Sequence, residues 1–226
     1  MTFLQIVQRL RQECGVPGDG PNTVLNQVRE LKRLVDWASQ AYIELQEEEA
    51  EWEWMRTSTT FNTTAGKNSY NPLTELNLTQ FGHWRNYSFR IYLTSAGFGN
   101  QILLSQCDYN TFRDYYLYGI RQTTQARPTV ITVAPDRSLF LGLVPNDVYT
   151  VSGEYYRTPQ ILDEDIDVPE IPSRWHMAIV YKAMIKYAMF ESAPEVLAAA
   201  TENYNKMLNR IRREQMPPIT IGMPFV

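Results

Sequence analysis

The densest set of chemically capable groups in this 226-residue sequence is a run of carboxylates: Glu47, Glu48, Glu49, Glu51 and Glu53. Two carboxyls held about 5–10 Å apart around a sugar can cleave a glycosidic bond, one as acid and the other as base or nucleophile. Spacing along a chain does not set separation in space, and a Glu run at the end of a long helical pattern reads first as a hydrated face. In a ring-forming protein the same residues would face a channel and repel a passing nucleic acid.

The other candidates for chemistry are thin. Nucleophilic catalysis needs a Ser or Cys within reach of a base, and only His83 and His176 could supply an imidazole. His176, next to Trp175 at the start of a helical pattern, reads as a polar residue at a helix edge or a subunit contact. Asp163, Asp165 and Asp167, with Glu164 between them, occupy the first, third and fifth positions of a calcium loop. Val168 stands where that loop needs Gly and Arg174 where it needs a bidentate Glu, so a solvated acidic loop is expected and no metal. The glycine segments at 15–20 and 97–99 lack the spacing and the lysine of a phosphate cradle, and no cofactor is expected. Cys14 and Cys107 are far apart and read as reduced structural thiols. Arg210, Arg212 and Arg213 sit where they complement a helix dipole.

The elements that would position these groups divide the chain. Phe3, Ile6, Val7 and Leu10 repeat at helical spacing, with Thr2 to cap the start and Gly15 to end it. Residues 15–23 read as a loop rich in Gly, Pro, Asp and Asn. A stripe from Val24 through Leu34, Ala38, Tyr42 and Leu45 predicts a helix of about six turns. Trp52 and Trp54 then begin a two-residue alternation.

The middle of the chain alternates β-branched and aromatic residues with polar ones, predicting strands at 57–61, 87–94, 101–107, 129–134, 138–144 and 149–156. Pro145-Asn146-Asp147 would join the last two as a hairpin, and 108–118 reads as a small helix. Helical spacing returns from Trp175 to Ala188, with Ser173 as cap, and from Val196 to Ile211, where Ser192 and Glu195 have capping-box spacing. The last residues alternate Ile219, Ile221, Met223 and Phe225 among prolines and read as an extended arm. The expected fold is α+β: N- and C-terminal helices around a long central helix (1–56 and 173–213), a β-rich antiparallel insertion (57–172) and a C-terminal arm (214–226).

Composition narrows function. A net charge of −4 and 20% charged residues disfavour a phosphate-neutralising nucleic-acid binder. No stretch approaches the roughly 20 apolar residues of a membrane span, and the start lacks a signal-peptide pattern, so a chain made in a cytoplasm is expected. Fourteen Tyr and five Trp suit a surface given to protein contacts.

Several stretches resemble the head-to-tail adaptor, or connector, proteins of podovirus-type bacteriophages. They are TFLQIVQRLRQECGVPG (2–18), ELKRLVDWASQAYIELQ (30–46) with WEW (52–54), SLFLGLVP (138–145) with YTVSGEYYRTPQIL (149–162), and IPSRWHMAIVYKAMIKYA (171–188). The resemblance implies a structural virion protein and no enzyme. Its implied assembly is a ring of about twelve copies in the neck of the particle, assembled in the host cytoplasm. Such a ring docks on the portal protein, bridges to the tail nozzle, carries fibres or spikes and meets DNA only in passage. It also implies that the arm clasps the portal through Met216, Pro217, Pro218, Ile219, Ile221, Met223, Pro224 and Phe225. A fibre-attachment or head-completion protein would share this composition, and a cell-wall-degrading virion enzyme using the Glu run is a more distant alternative.

Overall fold

A computed structural model describes residues 1–216. These form two compact units: Met1–Met55 with the chain from Pro159 onward, and Arg56–Thr158.

The first unit is helical. Helix α1 (Phe3–Glu13) opens with a capping box: the Thr2 hydroxyl accepts from Gln5 N–H, and the Gln5 side chain accepts from Thr2 N–H. Its apolar face, Phe3, Ile6, Val7 and Leu10, is fully buried. Gly15, with φ of +67°, turns the chain out of the helix.

Helix α2 (Arg29–Glu47) starts five residues later than the apolar stripe predicts. Val24 is buried, but its N–H donates to the Asp165 carboxylate, and Asn26 takes a left-handed φ of 56° that no helix continues through. Burial of Val24 by a loop therefore mimics the helical stripe. From Leu34 onward the reading holds, with Leu34, Ala38, Ala41, Tyr42 and Leu45 inaccessible.

Helices α4 (His176–Phe190) and α5 (Pro194–Gln215) form an antiparallel pair, α3 (Tyr109–Tyr116) lying in the other unit. Lys182 meets Tyr204, and Arg174 meets Glu214, residues nearly equidistant from the turn at Ala193. The expected caps do not form. Ser173 lies in a short 3-10 turn, Ser173–Trp175, and Ser192 turns at φ 54°; Pro194 opens α5 with its backbone already set for a helix. Helix α4 packs against α1, α2 and α5, which explains its nearly uniform apolar composition.

The sequence reading ends the insertion at residue 172, whereas the structure ends the β-rich unit at Thr158. Residues 159–172 lie on the helices. The Gln160 N–H donates to the Gln46 side-chain oxygen at 2.8 Å and its C=O accepts from the Gln46 side-chain amide at 2.9 Å, while the Gln160 side chain accepts from the Tyr42 hydroxyl at 3.0 Å. Leu162 and Ile171 are buried there. Acidic composition hid this, because the carboxylates of Asp165 and Asp167 serve backbone N–H groups (Val24; Asp163 and Glu164) while Leu162 and Ile171, on either side of them, are buried.

The second unit holds β1 (Arg56–Asn62), β2 (Ser69–Tyr70), β3 (Phe81–Trp84), β4 (Arg90–Leu93), β5 (Ile102–Leu103), β6 (Ser105–Gln106), β7 (Gln125–Ala126), β8 (Val130–Val133), β9 (Leu139–Gly142), β10 (Val144–Pro145) and β11 (Tyr149–Arg157). Helix α3 (Tyr109–Tyr116), capped by the Asp108 carboxylate on Thr111 N–H, interrupts them as expected. One sheet runs β1-β11-β4-β5, with β3 beside β4 on β11; a second runs β2-β9-β8-β6; β7 and β10 pair separately.

The predicted hairpin of 138–144 with 149–156 is not formed, because β9 and β11 belong to different sheets. The hairpin joins β8 to β9 instead. Asp136 accepts from Ser138 N–H and hydroxyl, and Arg137 adopts φ of 67°, so the turn rests on Asp-Arg chemistry. Between the sheets lies an aromatic core of Phe81, Trp84, Phe89, Tyr149 and Tyr155 with Ile91, Ile131, Leu139, Leu141 and Val151. At Gly153 a Cβ would stand 2.5 Å from the Phe89 ring, so the central strand needs glycine there for the ring to lie flat on it.

Strand β1 is an outer edge of its sheet. Thr63 N–H donates to Tyr149 C=O, which fixes the phase of the ladder: Thr57, Thr59 and Phe61 bond β11. Ser58, Thr60 and Asn62 therefore turn their backbone N–H and C=O away from it.

Candidate interaction surfaces

The acidic run does not form one face. Glu48 and Glu49 are half-buried and paired, whereas Glu47, Glu51 and Glu53 are exposed. Glu48 lies 2.6 Å from the Lys182 ammonium and accepts from the Tyr204 hydroxyl at 3.0 Å. Glu49 takes the Arg212 guanidinium at 2.7 Å, and Glu44, just upstream, takes Lys186 at 2.6 Å. Three carboxylates on and just after α2 thus bind three cations of α4 and α5.

Burial pushes the Glu48 carboxyl up, but the hydrogen bond and charge of Lys182, the Tyr204 hydroxyl and the Arg212 charge outweigh it and hold the group below its ordinary value. Burial and the Glu48 charge together keep the Tyr204 phenol protonated, raising it far above its ordinary value. Side-chain exposure of Lys182 is only 13%, so its charge is largely withdrawn from water and depends on these partners. The arrangement suits a rigid strut, and Glu48, held below its ordinary value, lacks the raised value that a general acid needs.

Sequence reasoning missed the cationic half of this network. The available signal was Lys182 and Lys186, four residues apart inside a helix otherwise apolar, where unpaired lysines would be costly. Arg212, read as a dipole complement, is instead an ion-pair partner across the bundle.

The remaining polar candidates are structural. His176 is 1% exposed, and its Nε2 lies 3.1 Å from Ile171 C=O, so the ring anchors the 159–172 segment inside the bundle. Burial lowers its basicity. The His83 ring stacks on Tyr156 at 5.0 Å. Burial pushes the Cys14 thiol up to about 12, which leaves almost no thiolate at neutral pH. Among the described residues no group of three His, Cys, Asp or Glu could hold a metal ion, and no helix is long and apolar enough to cross a membrane.

Stacked tryptophans mark the exit from α2. The rings of Trp52 and Trp54 lie 4.4 Å apart and nearly parallel, and Trp52 N–H donates to Gln46 C=O. A 3-10 turn, Glu53–Met55, follows before β1.

In the β-rich unit, α3 and the turn after it expose Tyr115, Tyr118 and Ile120, the last 82% exposed. Tyr, Ile and Arg in such a cluster match the anchors of protein interfaces, and Arg121 lies against the Tyr115 and Tyr116 rings. The arm expected from residue 214 begins later: Glu214 and Gln215 continue α5, and Met216, half-buried, follows it as the last described residue. Pro217, Pro218, Ile219, Ile221, Met223, Pro224 and Phe225 lie outside the described residues.

The sequence pattern of the SU10 adaptor protein family matches residues 1–222. No curated protein matches the chain.

Proposed function

The chain belongs to the SU10 adaptor protein family, a phage adaptor and hence a virion component that works by contact with other virion proteins, and from that premise we propose a ring between portal and tail. About twelve copies, related by rotation about one axis, join the portal of a short-tailed particle to its nozzle and continue the DNA channel. The supporting observation is that the family pattern runs through both units, residues 1–222, so the whole chain and not one module of it is the adaptor.

The two units suit different demands of that role. In the helical unit, ion pairs between α2 and the α4–α5 pair resist deformation, as a load-bearing collar requires. The β-rich unit displays Tyr115, Tyr118 and Ile120, which would anchor a nozzle or fibre protein. Glu47, Glu51 and Glu53, exposed and free of the internal network, face the channel and keep DNA from adhering to its wall.

Electron microscopy of purified portal rings mixed with the full chain tests the reading. A second ring of density stacked on the portal is the expected result. Portal rings that gain no density at any protein concentration would remove the portal–tail role.

A further inference from the structure

The outer edge of β1 is an unprotected strand template. Its pairing with β11 runs without a bulge from Arg56 to Asn62, and residues 57–62 contain no Pro and no charged residue. Those are the devices by which sheets blunt an edge. Ser58, Thr60 and Asn62 are exposed, and none of the backbone hydrogen bonds among the described residues uses their outward N–H or C=O groups. On one face of this edge lies Phe61, packed against Tyr70 at 5.2 Å and against the aromatic core; on the other lie the short polar side chains of Ser58, Thr60 and Asn62.

An incoming strand must therefore be about five residues long, uncharged, apolar on one face and small or polar on the other. Residues 219–223 of this chain, Ile-Thr-Ile-Gly-Met, have that pattern. Ile219, Ile221 and Met223 alternate with Thr220 and Gly222, and no charge occurs anywhere in residues 217–226. Pro218 and Pro224 bracket the five, and because proline cannot donate to a ladder they would limit pairing to the length of Ser58–Asn62.

We propose that residues 219–223 of one copy add as a strand to the β1 edge, Ser58–Asn62, of a second copy. The choice of a second copy rests on the ring reading: in a closed ring each subunit can give one arm and receive one, leaving no edge unfilled. The arm then ties neighbours together, and its repeated use around the ring adds avidity to each short ladder.

Amide hydrogen exchange on the full chain tests this, comparing wild type with the double variant Thr220→Pro/Ile221→Pro, which removes a ladder donor from the arm whether it pairs parallel or antiparallel and does not touch the described fold. In wild type, Ser58, Thr60 and Asn62 amides should exchange at least ~10-fold more slowly than in the double variant. A synthetic peptide of residues 217–226 added to the variant should restore protection. Thr60→Pro is the reciprocal variant: its N–H points away from β11, so the β1–β11 ladder should survive while peptide capture is lost. Equal, fast exchange in wild type and the Thr220→Pro/Ile221→Pro variant, with no response to millimolar peptide, would overturn the proposal. Protection that persists unchanged on dilution to dissociated protein would overturn the second-copy assignment in favour of pairing within one chain. Peptide that binds purified portal rings and leaves β1 exchange unaltered would reassign the arm to the portal. Peptide capture needs no ring, so these outcomes are separate from the portal-stacking experiment.

Discussion

The helical unit and the β-rich unit solve the problem of holding a chain together in opposite ways. In the helical unit helices from both ends of the chain pack together, α4 on α1, α2 and α5, and polar groups between them are satisfied by charge pairs: Glu44, Glu48 and Glu49 against Lys186, Lys182 and Arg212. In the β-rich unit the central strand, β11, is the last of its strands in sequence and pairs with β1, β3 and β4, all from much earlier. Its core is aromatic and almost free of charge. Stability in the first case hangs on polar partners as much as on burial. In the second it hangs on rings fitted against a close backbone.

The largest test removes one anchor from each unit. Trp52 is fully buried, stacked on Trp54 and bonded to Gln46; Phe89, 1% exposed, lies on Gly153. Trp52→Ala and Phe89→Ala should each cost about 3–5 kcal/mol. Hydrogen exchange should show the loss concentrated in α2 and α4 for the first and in β11 and β4 for the second. Uniform loss across both units would show that they unfold as one and would erase the contrast.

Next in size is Lys182→Met, which keeps the aliphatic volume and deletes the charge. Glu48 would lose its closest cation while still half-buried, and a cost of about 2–3 kcal/mol is expected, below that of a fully buried pair because the site is partly wet. The double variant Lys182→Met with Glu48→Gln should recover part of it, as measured by urea denaturation. In the β-rich unit the matching single-atom test is Gly153→Ala. Its methyl would meet Phe89, and moving the ring should cost about 1–3 kcal/mol. The combination Gly153→Ala with Phe89→Leu should cost less than the sum.

Acid separates the two regions by a further increment. The Glu48 carboxyl titrates below its ordinary value of 4.5 in the folded chain, burial being outweighed by Lys182. A carboxyl lowered on folding stabilises fully above its unfolded value and loses that contribution as pH falls through the folded one. Burial also lowers the His176 imidazole from 6.5, so the unfolded chain takes up that proton first as pH drops. The helical unit should thus begin to weaken below about pH 6.5 and weaken further below about pH 4.5. Thermal melts of Glu48→Gln should approach those of wild type as pH falls through the second window; a constant gap would mean that the charge pair contributes nothing.

What could be read in advance follows the same division. Helix α1, its Thr2 cap and Gly15 exit were legible because every determinant lies within four residues. The buried stripe of α2 was legible too, but its start was not, since Val24 is buried by a contact with Asp165, 141 residues away. Strand positions near 57–61, 130–133, 139–142 and 149–157 followed from alternation, while the pairing of β11 did not, because alternation says which face is apolar and nothing about which strand lies alongside. Short strands such as β7 and β10, two residues each, carry no period at all. Of the acidic run, its position was legible and its division was not: whether a Glu is solvated depends on Lys182 and Arg212, more than a hundred residues later.

That division makes the smallest structural prediction also the one closest to function. Glu47, Glu51 and Glu53 are exposed and make none of the ion pairs that hold Glu48 and Glu49, so replacing all three with Gln should change stability by no more than about 0.5 kcal/mol per site. Replacing Glu48 and Glu49 with Gln should cost considerably more. If the exposed three line the channel, the triple variant should assemble onto portal rings like wild type, while particles carrying Lys at these positions should package DNA and release it more slowly as ionic strength falls, because added cations bind phosphate most strongly at low salt. Ejection kinetics measured at two salt concentrations provide the check. An unchanged, salt-independent rate with Lys at all three positions would place these carboxylates away from the DNA path and leave them as solvated surface.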